Sequence, residues 1–553
     1  MNDIGIIGLG TMGRNLAYNA SRSLKVSVNT RSEDTLAEFK DNLKTDSKIK
    51  IKLSCEEFKC KNKNCELKIH EVFQANEKNV FCYSNLDEFL ESLKGPRIIL
   101  LLIPSFAVTK FLENLKENKL LKTEDVIVDC GNTYYKDSVA NSTILDCRYT
   151  CIGTSGGAIG ALKGPAMMVG IGQKENFSKI VEAKILAEKN IFFDAESFKK
   201  TKKIKKNESD NFSLDSVKKL FNDLNKISPC VTIVGPNYFG HYVKMVHNGI
   251  EYAIMSLLAE VSTALILKVG IQHTIQIFRK INLRCKLFLI NCLLKVLEKK
   301  CENICNEKNC TKNILVHLES VTGQKGTGKW CVKEAIDLNI DLGMISSSVF
   351  ERIRTKDCLV ERKFSSSKNI VKTEIENNKC ILCNSFLSEK SEDCHIHISL
   401  LDFHDSILQL VILSYYEGIC LLKARYEAEG VVFSPKSIIK SWRTNCIIES
   451  RILNHLIFSS DSDLGNEESD KYRFLKRTMQ NYSNSTKTGI NTDGFSGLSI
   501  IMTDVSATTY FCGLSNFQLH KSNVGKIMQG IRDVFGEHGV LVNGKEMNVR
   551  WGK

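Results

Sequence analysis

Three glycines constrain this chain more than any other feature. Gly8, Gly10 and Gly13 stand in the spacing G-x-G-x-x-G, directly after a short apolar run, Ile4-Gly5-Ile6-Ile7, and directly before Arg14-Asn15-Leu16-Ala17, which opens a helix. In a strand–turn–helix context each glycine has its own task. The first permits the tight turn, the second lets backbone approach a pyrophosphate, and the third lets helix and strand pack closely, with the pyrophosphate over the helix N-terminus. A second strand run, Lys25-Val26-Ser27-Val28-Asn29, gives half of a doubly wound α/β domain. The turn Gly8-Leu9-Gly10-Thr11-Met12-Gly13 is therefore expected to hold a dinucleotide, against the plainer alternative of an ordinary glycine-rich turn.

The tip of the second strand separates NAD from NADP. An NAD site usually places a carboxylate there for the ribose hydroxyls. Here the residues are Asn29-Thr30-Arg31, and Arg31 can pair a 2′-phosphate through charge-assisted hydrogen bonds. NADP is the expected cofactor, although Glu33 and Asp34 follow closely.

The α/β pattern resumes at Arg97-Ile98-Ile99-Leu100-Leu101-Leu102-Ile103 and at Asp125-Val126-Ile127-Val128-Asp129, both runs of the buried-strand type. From about Pro236 helix-like stretches dominate. The chain divides, on this reading, into a Rossmann-like domain over 1–230, an all-helical domain over 231–500 and a C-terminal segment over 501–553. Polar stretches rich in Lys, Asn or Cys look inserted at about 41–80, 195–215, 285–315, 363–398 and 458–492. Loops accept such additions because closure entropy grows only slowly with length.

Composition excludes several classes. With 553 residues, 43% hydrophobic, 25% charged and only 6 prolines, the chain is neither collagen-like nor disordered throughout. The net charge of +13 admits nucleic acid, a membrane surface or anionic small substrates, but the lysines gather in stretches such as Lys199 to Lys206, so Lys-rich loops explain it most simply. Met1-Asn2-Asp3 shows no secretory pattern, and no uninterrupted apolar run reaches the roughly 18 residues of a membrane span. A cytoplasmic protein is expected, and its 21 cysteines are then free thiols rather than a disulfide framework.

Three later segments carry chemistry. Gly153-Thr154-Ser155-Gly156-Gly157 follows the α/β portion. In Gly240 through Tyr252, Lys244, His247, Asn248 and Glu251 fall at i, i+3, i+4 and i+7, on one helix face. A base and an acid with an amide between them can bracket a small polar substrate. Taken alone, such a stripe is first of all a solvent-exposed polar face. Gln324-Lys325-Gly326-Thr327-Gly328-Lys329-Trp330 suits an anion, because backbone N–H groups and ammonium charges converge there, but it is not a P-loop.

With Val128-Asp129-Cys130-Gly131-Asn132-Thr133-Tyr134-Tyr135-Lys136-Asp137, these segments occur in the order found in the decarboxylating 6-phosphogluconate dehydrogenases, which the chain resembles over nearly its whole length between the insertions. The glycine turn and Ser-Gly-Gly also fit the wider β-hydroxyacid dehydrogenases; the Lys244–Tyr252 and Gln324–Trp330 segments resemble the phosphogluconate enzymes specifically. The resemblance implies that Lys244 is the general base, later the protonated group that polarises the ketone, and that Glu251 is the acid that protonates C1 of the enediol. It implies substrate contacts from Asn132, Ser155, Gly156, Gly157, His247 and Asn248, and phosphate contacts from Tyr252, Lys325, Thr327 and Arg352. Leu102-Ile103-Pro104 and Asn132 would join the glycine turn and Asn29-Thr30-Arg31 around NADP. Arg532 and His538, in Arg532-Asp533-Val534-Phe535-Gly536-Glu537-His538, would complete the neighbouring subunit's site, which implies a homodimer.

The chain departs from the family in having Ala158-Ile159 where acidic residues are usual, Ile103-Pro104 where a lysine is usual, and Asn29-Thr30-Arg31 for Asn-Arg-Thr. Cys380, Cys383, Cys394 and His397 have zinc-like spacing in a polar stretch; Cys301, Cys305 and Cys310 are a weaker set, and no metal is expected. The alternatives are a related β-hydroxyacid dehydrogenase with another substrate, which Lys325, Arg352 and Arg532 argue against, and a non-catalytic basic binding protein, which Lys244 and Glu251 argue against. Neither nucleic acid nor membrane is an expected partner.

Overall fold

The computed structural model describes residues 1–22, 24–43, 49–51, 70–73, 76–170, 231–301, 310, 312–355, 400–443, 445–456, 473–475, 477–480, 517–542, 544–549 and 551. The chain separates into two compact units, residues 1–244 with 444–446, and residues 245–443 with 447–553.

The first unit is built on an eight-stranded sheet. Strands β1 (Ile4–Ile7), β2 (Val26–Asn29), β5 (Val80–Tyr83), β6 (Ile98–Leu101), β7 (Val126–Asp129), β8 (Arg148–Ser155), β9 (Ala166–Gly170) and β10 (Val231–Gly235) lie in the order β10-β9-β8-β7-β6-β1-β2-β5; β3 (Ile49–Ile51) and β4 (His70–Phe73) form a separate hairpin. Every neighbouring pair is parallel except β8 with β9. Strands β1, β2, β6 and β7 are buried along their whole length, as strands covered on both faces must be. Helices α1 (Thr11–Ala20), α2 (Glu33–Asn42), α3 (Leu86–Glu91), α4 (Ser105–Glu117), α5 (Tyr135–Asn141) and α6 (Gly157–Lys163) connect them.

The cover is apolar on both sides. One cluster joins Ile6, Leu16, Val28, Phe39 and Leu100; another joins Phe89, Ile99, Leu101, Leu112 and Ile127. Caps fix where helices begin: Ser32 accepts from Thr35 N–H at 3.2 Å, and Asn85 accepts from Asp87 N–H and Glu88 N–H at 2.7 and 3.1 Å. Strand β1 lies between β2 and β6, where the connections leave in opposite directions. The crevice at that switch point is where such sheets receive ligands.

Helix α7 (Phe239–Val269) has 31 residues, about 46 Å long, and runs from the first unit into the second. The second unit adds α8 (Ile271–Cys285), α9 (Phe288–Glu298), α10 (Thr327–Asp337), α11 (Gly343–Arg354), α12 (Leu400–Ala428), α13 (Pro435–Trp442) and α14 (Phe517–Gly536), then the hairpin β11 (Val540–Val542) and β12 (Lys545–Met547). Phe239–Leu267 and Phe403–Ala428 are long and apolar enough to cross a membrane, but 94% and 83% of their windows are buried inside the protein. They are core helices. The α11 N-terminus docks on α12 through a buried carboxylate: Glu417 accepts from Met344 N–H at 2.8 Å and Ile345 N–H at 3.1 Å.

Candidate active site

The dinucleotide turn is built as its glycines require. Gly8 has φ +100°, a conformation glycine adopts freely, and a Cβ there would stand 2.6 Å from the Leu102 carbonyl oxygen. A Cβ on Gly13 would collide with the Gly8 carbonyl oxygen, whereas one on Gly10 would meet nothing within 4 Å among the described residues. Gly10 is thus open space at the N-cap of α1. A pyrophosphate fits such a cradle, where N–H groups point outward. Arg31 is exposed just past β2 and no carboxylate stands at that tip, so the residues present fit a 2′-phosphorylated dinucleotide. Asn29 points elsewhere than expected: its amide donates to the Tyr83 and Ser84 carbonyls at 3.1 and 3.4 Å, tying β2 to β5. The Leu102 N–H donates to Ile7 O at 2.8 Å, which holds the Leu102-Ile103-Pro104 turn beside Gly8.

The loop after β7 is organised by Asp129, a fully buried carboxylate. Its oxygens accept from Gly131 N–H at 2.9 Å, Thr133 Oγ1 at 2.8 Å and Tyr149 Oη at 2.8 Å, and Asn132 is left exposed between them. His241, on the first turn of α7, stands 3.0 Å from the Asp129 carbonyl oxygen and 2.7 Å from Ser138 Oγ. Burial lowers the pKa of His241, with Asp129 opposing the shift. Asp129 and His241 were visible in the motifs but suggested no role, because their partners lie far apart in sequence.

Lys244 is anchored by a close backbone approach. A Cβ on Gly153 would meet the Gly240 carbonyl oxygen and stand 2.5 Å from Lys244 Cβ. Only glycine at 153 lets α7 lie this near β8. Beside it, Gly156 has φ +130° and caps α6, and a Cβ there would strike the Asn445 carbonyl oxygen. Asn445 donates to Gly164 O at 3.0 Å, and Ser155 Oγ lies 3.3 Å from Cys446 Sγ.

The polar stripe of α7 is not solvent-exposed. Lys244, His247, Asn248 and Glu251 are all buried. Apolar residues flank them on every other side of the helix, among them Val243, Met245, Val246 and Ile250, so the whole helix is interior. His247 Nδ1 lies 3.0 Å from Asn248 Oδ1.

In the second unit five expected residues form a cationic cluster. The Arg352 guanidinium carbon lies 3.3 Å over the Tyr252 ring. Arg352 is 1% exposed, its terminal nitrogen is 3.4 Å from Met255 Sδ, and its Nε has no hydrogen-bond partner among the described residues. Burial and then the Arg352 charge lower the Arg532 pKa, against the pull of Tyr252 and Glu251. Lys325 reaches solvent, yet desolvation and then Arg532 lower its pKa too. Burial, then Arg532, Lys325 and Arg352, push His538 down to about 3. Thr327 is buried at the start of α10. Within the single chain Arg532 and His538 therefore stand with that chain's own Lys325 and Arg352. Gln529 joins the two segments, accepting from Gly323 N–H at 3.1 Å and donating to Gly539 O at 2.6 Å.

A Rossmann-type sheet with a dinucleotide turn, followed by a large helical unit, defines a dinucleotide-dependent dehydrogenase. The NAD binding domain of 6-phosphogluconate dehydrogenase matches residues 3–188, and the C-terminal domain of the same enzyme matches residues 240–551. The chain belongs to the 6-phosphogluconate dehydrogenase family. It is 27% identical to the decarboxylating 6-phosphogluconate dehydrogenase of Staphylococcus epidermidis and 28% identical to that of Buchnera aphidicola, in each case over 97% of this chain and 95% of the relative. The Plasmodium falciparum 6-phosphogluconate dehydrogenase, solved in its apo form and in complexes with NADP+ and with 6-phosphogluconate, shares the fold, with a TM-score of 0.55 and 24% identity over 92% of this chain and 91% of that one. Cys380, Cys383, Cys394 and His397 lie outside the described residues.

Proposed function

We propose that this chain oxidatively decarboxylates 6-phospho-D-gluconate to D-ribulose 5-phosphate and CO2, with NADP as cofactor, in the oxidative pentose phosphate pathway of the cytoplasm. Bound NADP+ supplies the hydride acceptor. Lys244, as the neutral amine, takes the proton from the 3-hydroxyl as the C3 hydrogen leaves as hydride. The resulting ammonium then polarises the C3 ketone, so that the C1–C2 bond breaks and its electron pair passes into an enediol. Glu251 donates a proton to C1 of that enediol, which was C2 of 6-phosphogluconate, while Lys244 takes back the hydroxyl proton, giving ribulose 5-phosphate. Asn132, Ser155, Gly156, Gly157, His247 and Asn248 hold the substrate's hydroxyls and carboxylate. Tyr252, Lys325, Thr327, Arg352, Arg532 and His538 hold its phosphate.

The observation that carries this reading is the buried Arg352 guanidinium, whose Nε has no hydrogen-bond partner among the described residues, grouped with Lys325 and Arg532. A phosphate dianion matches such a set; an unphosphorylated hydroxyacid leaves it uncompensated. The test is NADP+ reduction and CO2 release with 6-phosphogluconate, compared with gluconate and 3-hydroxyisobutyrate. Matched reduction and CO2 release from the phosphorylated acid alone supports the reading; turnover of an unphosphorylated acid instead defeats it.

The working state is a homodimer in which each C-terminal segment, with Arg532 and His538, completes the neighbour's site. The contacts of α14 with the Gly323 region are chemically the same within one chain or exchanged between two, and the resemblance supports exchange.

A further inference from the structure

The segment that leads from α9 to the glycine-rich loop gathers a second set of reactive side chains. The ligand atoms of Cys301, Cys310 and His317 all lie within 4.8 Å of one another, and Cys310 Sγ is 3.5 Å from His317 Nε2. Backbone pairing holds them there. Lys300 bridges Asn313 in antiparallel fashion, Cys301 N–H donates to Lys312 O at 2.9 Å, and Ile314 N–H donates to Lys299 O at 2.9 Å. Asn313 donates to Leu297 O at 2.6 Å and accepts from Leu315 N–H at 2.9 Å, capping the short turn Ile314–Val316. His317 N–H closes that turn on Ile314 O at 2.9 Å.

The dimensions suit a tetrahedral ion. Zn–S of about 2.3 Å and Zn–N of about 2.0–2.1 Å set a sulfur–nitrogen edge of about 3.6 Å. The donor set also selects: two thiolates and an imidazole favour zinc, whereas calcium and magnesium require oxygen. Cys301 is fully buried, and Cys310 and His317 are partly exposed, so an ion can enter from one side. We propose that Cys301, Cys310 and His317 bind a zinc ion. Binding displaces the two thiol protons and leaves the fourth position to water.

The role is structural. Beyond His317, Glu319 N–H donates to Leu541 O at 2.9 Å, Thr322 Oγ1 donates to Gly525 O at 3.0 Å, and Gly323 N–H reaches Gln529. The ion clamps the base of the strip on which α14 and β11 are seated.

The test uses the full chain, without a polyhistidine tag, purified under reducing conditions. Elemental analysis should find about one zinc per chain, retained in Cys380→Ser/Cys383→Ser and lost in Cys301→Ser/Cys310→Ser. Replacement by Co2+ should give the visible bands of tetrahedral cobalt and a thiolate charge-transfer band, both altered in His317→Cys, which keeps three ligands. A chelator should lower the melting temperature of the wild type only. Failure of the reduced wild-type protein to take up Zn2+ or Co2+ overturns the proposal. So does a cobalt spectrum that survives in Cys301→Ser/Cys310→Ser, or one that disappears only in Cys380→Ser/Cys383→Ser.

Discussion

The Arg352 guanidinium lies face-on over the Tyr252 ring, 3.3 Å from its centroid, in the interior of the helical unit. Two residues a hundred positions apart thus form one stacked cation–π pair. Lysine cannot stack in this way. Arg352→Lys should therefore raise KM for 6-phosphogluconate far more than it lowers kcat. A lost charge-assisted contact of about 1.5–3 kcal/mol corresponds to roughly a 10- to 100-fold loss in kcat/KM. Steady-state kinetics check it, and an unchanged KM would remove Arg352 from the phosphate site.

Lys244→Ala should lower kcat by roughly 10²- to 10⁴-fold with little change in substrate affinity, the usual scale for a positioned base. Calorimetric binding beside kinetics separates the two. Glu251→Gln should retain hydride transfer in a single turnover but slow formation of ribulose 5-phosphate.

Two glycine variants should behave differently. Gly10→Ala meets no neighbour, so its melting temperature should stay at the wild-type value while Kd for NADP rises about tenfold, an effect of about 1.4 kcal/mol. Gly13→Ala drives its Cβ into the Gly8 carbonyl and should destabilise the domain by about 1–3 kcal/mol. Thermal melts with and without NADP distinguish them.

His538 gives a pH dependence with a definite sign. Its folded pKa is about 3, against about 6.5 for an unperturbed histidine. The unfolded chain therefore binds the proton first, and stability falls as pH drops from about 6.5 towards 3. His538→Gln should remove that part of the acid loss. A bound phosphate dianion, by screening Arg532, Lys325 and Arg352, should raise the histidine pKa, readable as proton uptake in calorimetry performed in two buffers.

Mixing Lys244→Ala with Arg532→Ala chains tests subunit exchange. If the C-terminal segment crosses, each mixed dimer contains one intact site and activity reappears. If it stays with its own chain, every site keeps a lesion and the mixture remains inactive.

Much of this was readable in the sequence, and the failures have physical causes. The glycine turn and the strands at 98–101 and 126–129 show because their signals are local. The burial of Lys244 through Glu251 does not, because a stripe of polar residues reads as an outer face until the other sides of the helix are weighed, and Val243, Met245, Val246 and Ile250 leave no outer face. Asn29 is diverted to the sheet by Tyr83 and Ser84, 54 and 55 residues away. His317 was passed over beside Cys301 and Cys310 because a backbone rung, not a spacing rule, brings it there.

Strands β5 and β10 are the two margins of the sheet, and the long polar stretches before residue 76 and before residue 231 both enter immediately ahead of them. Length can thus be added at the ends of the lattice of strands, far from the crevice between β1 and β6 at its middle, without a change to the strands that line that crevice.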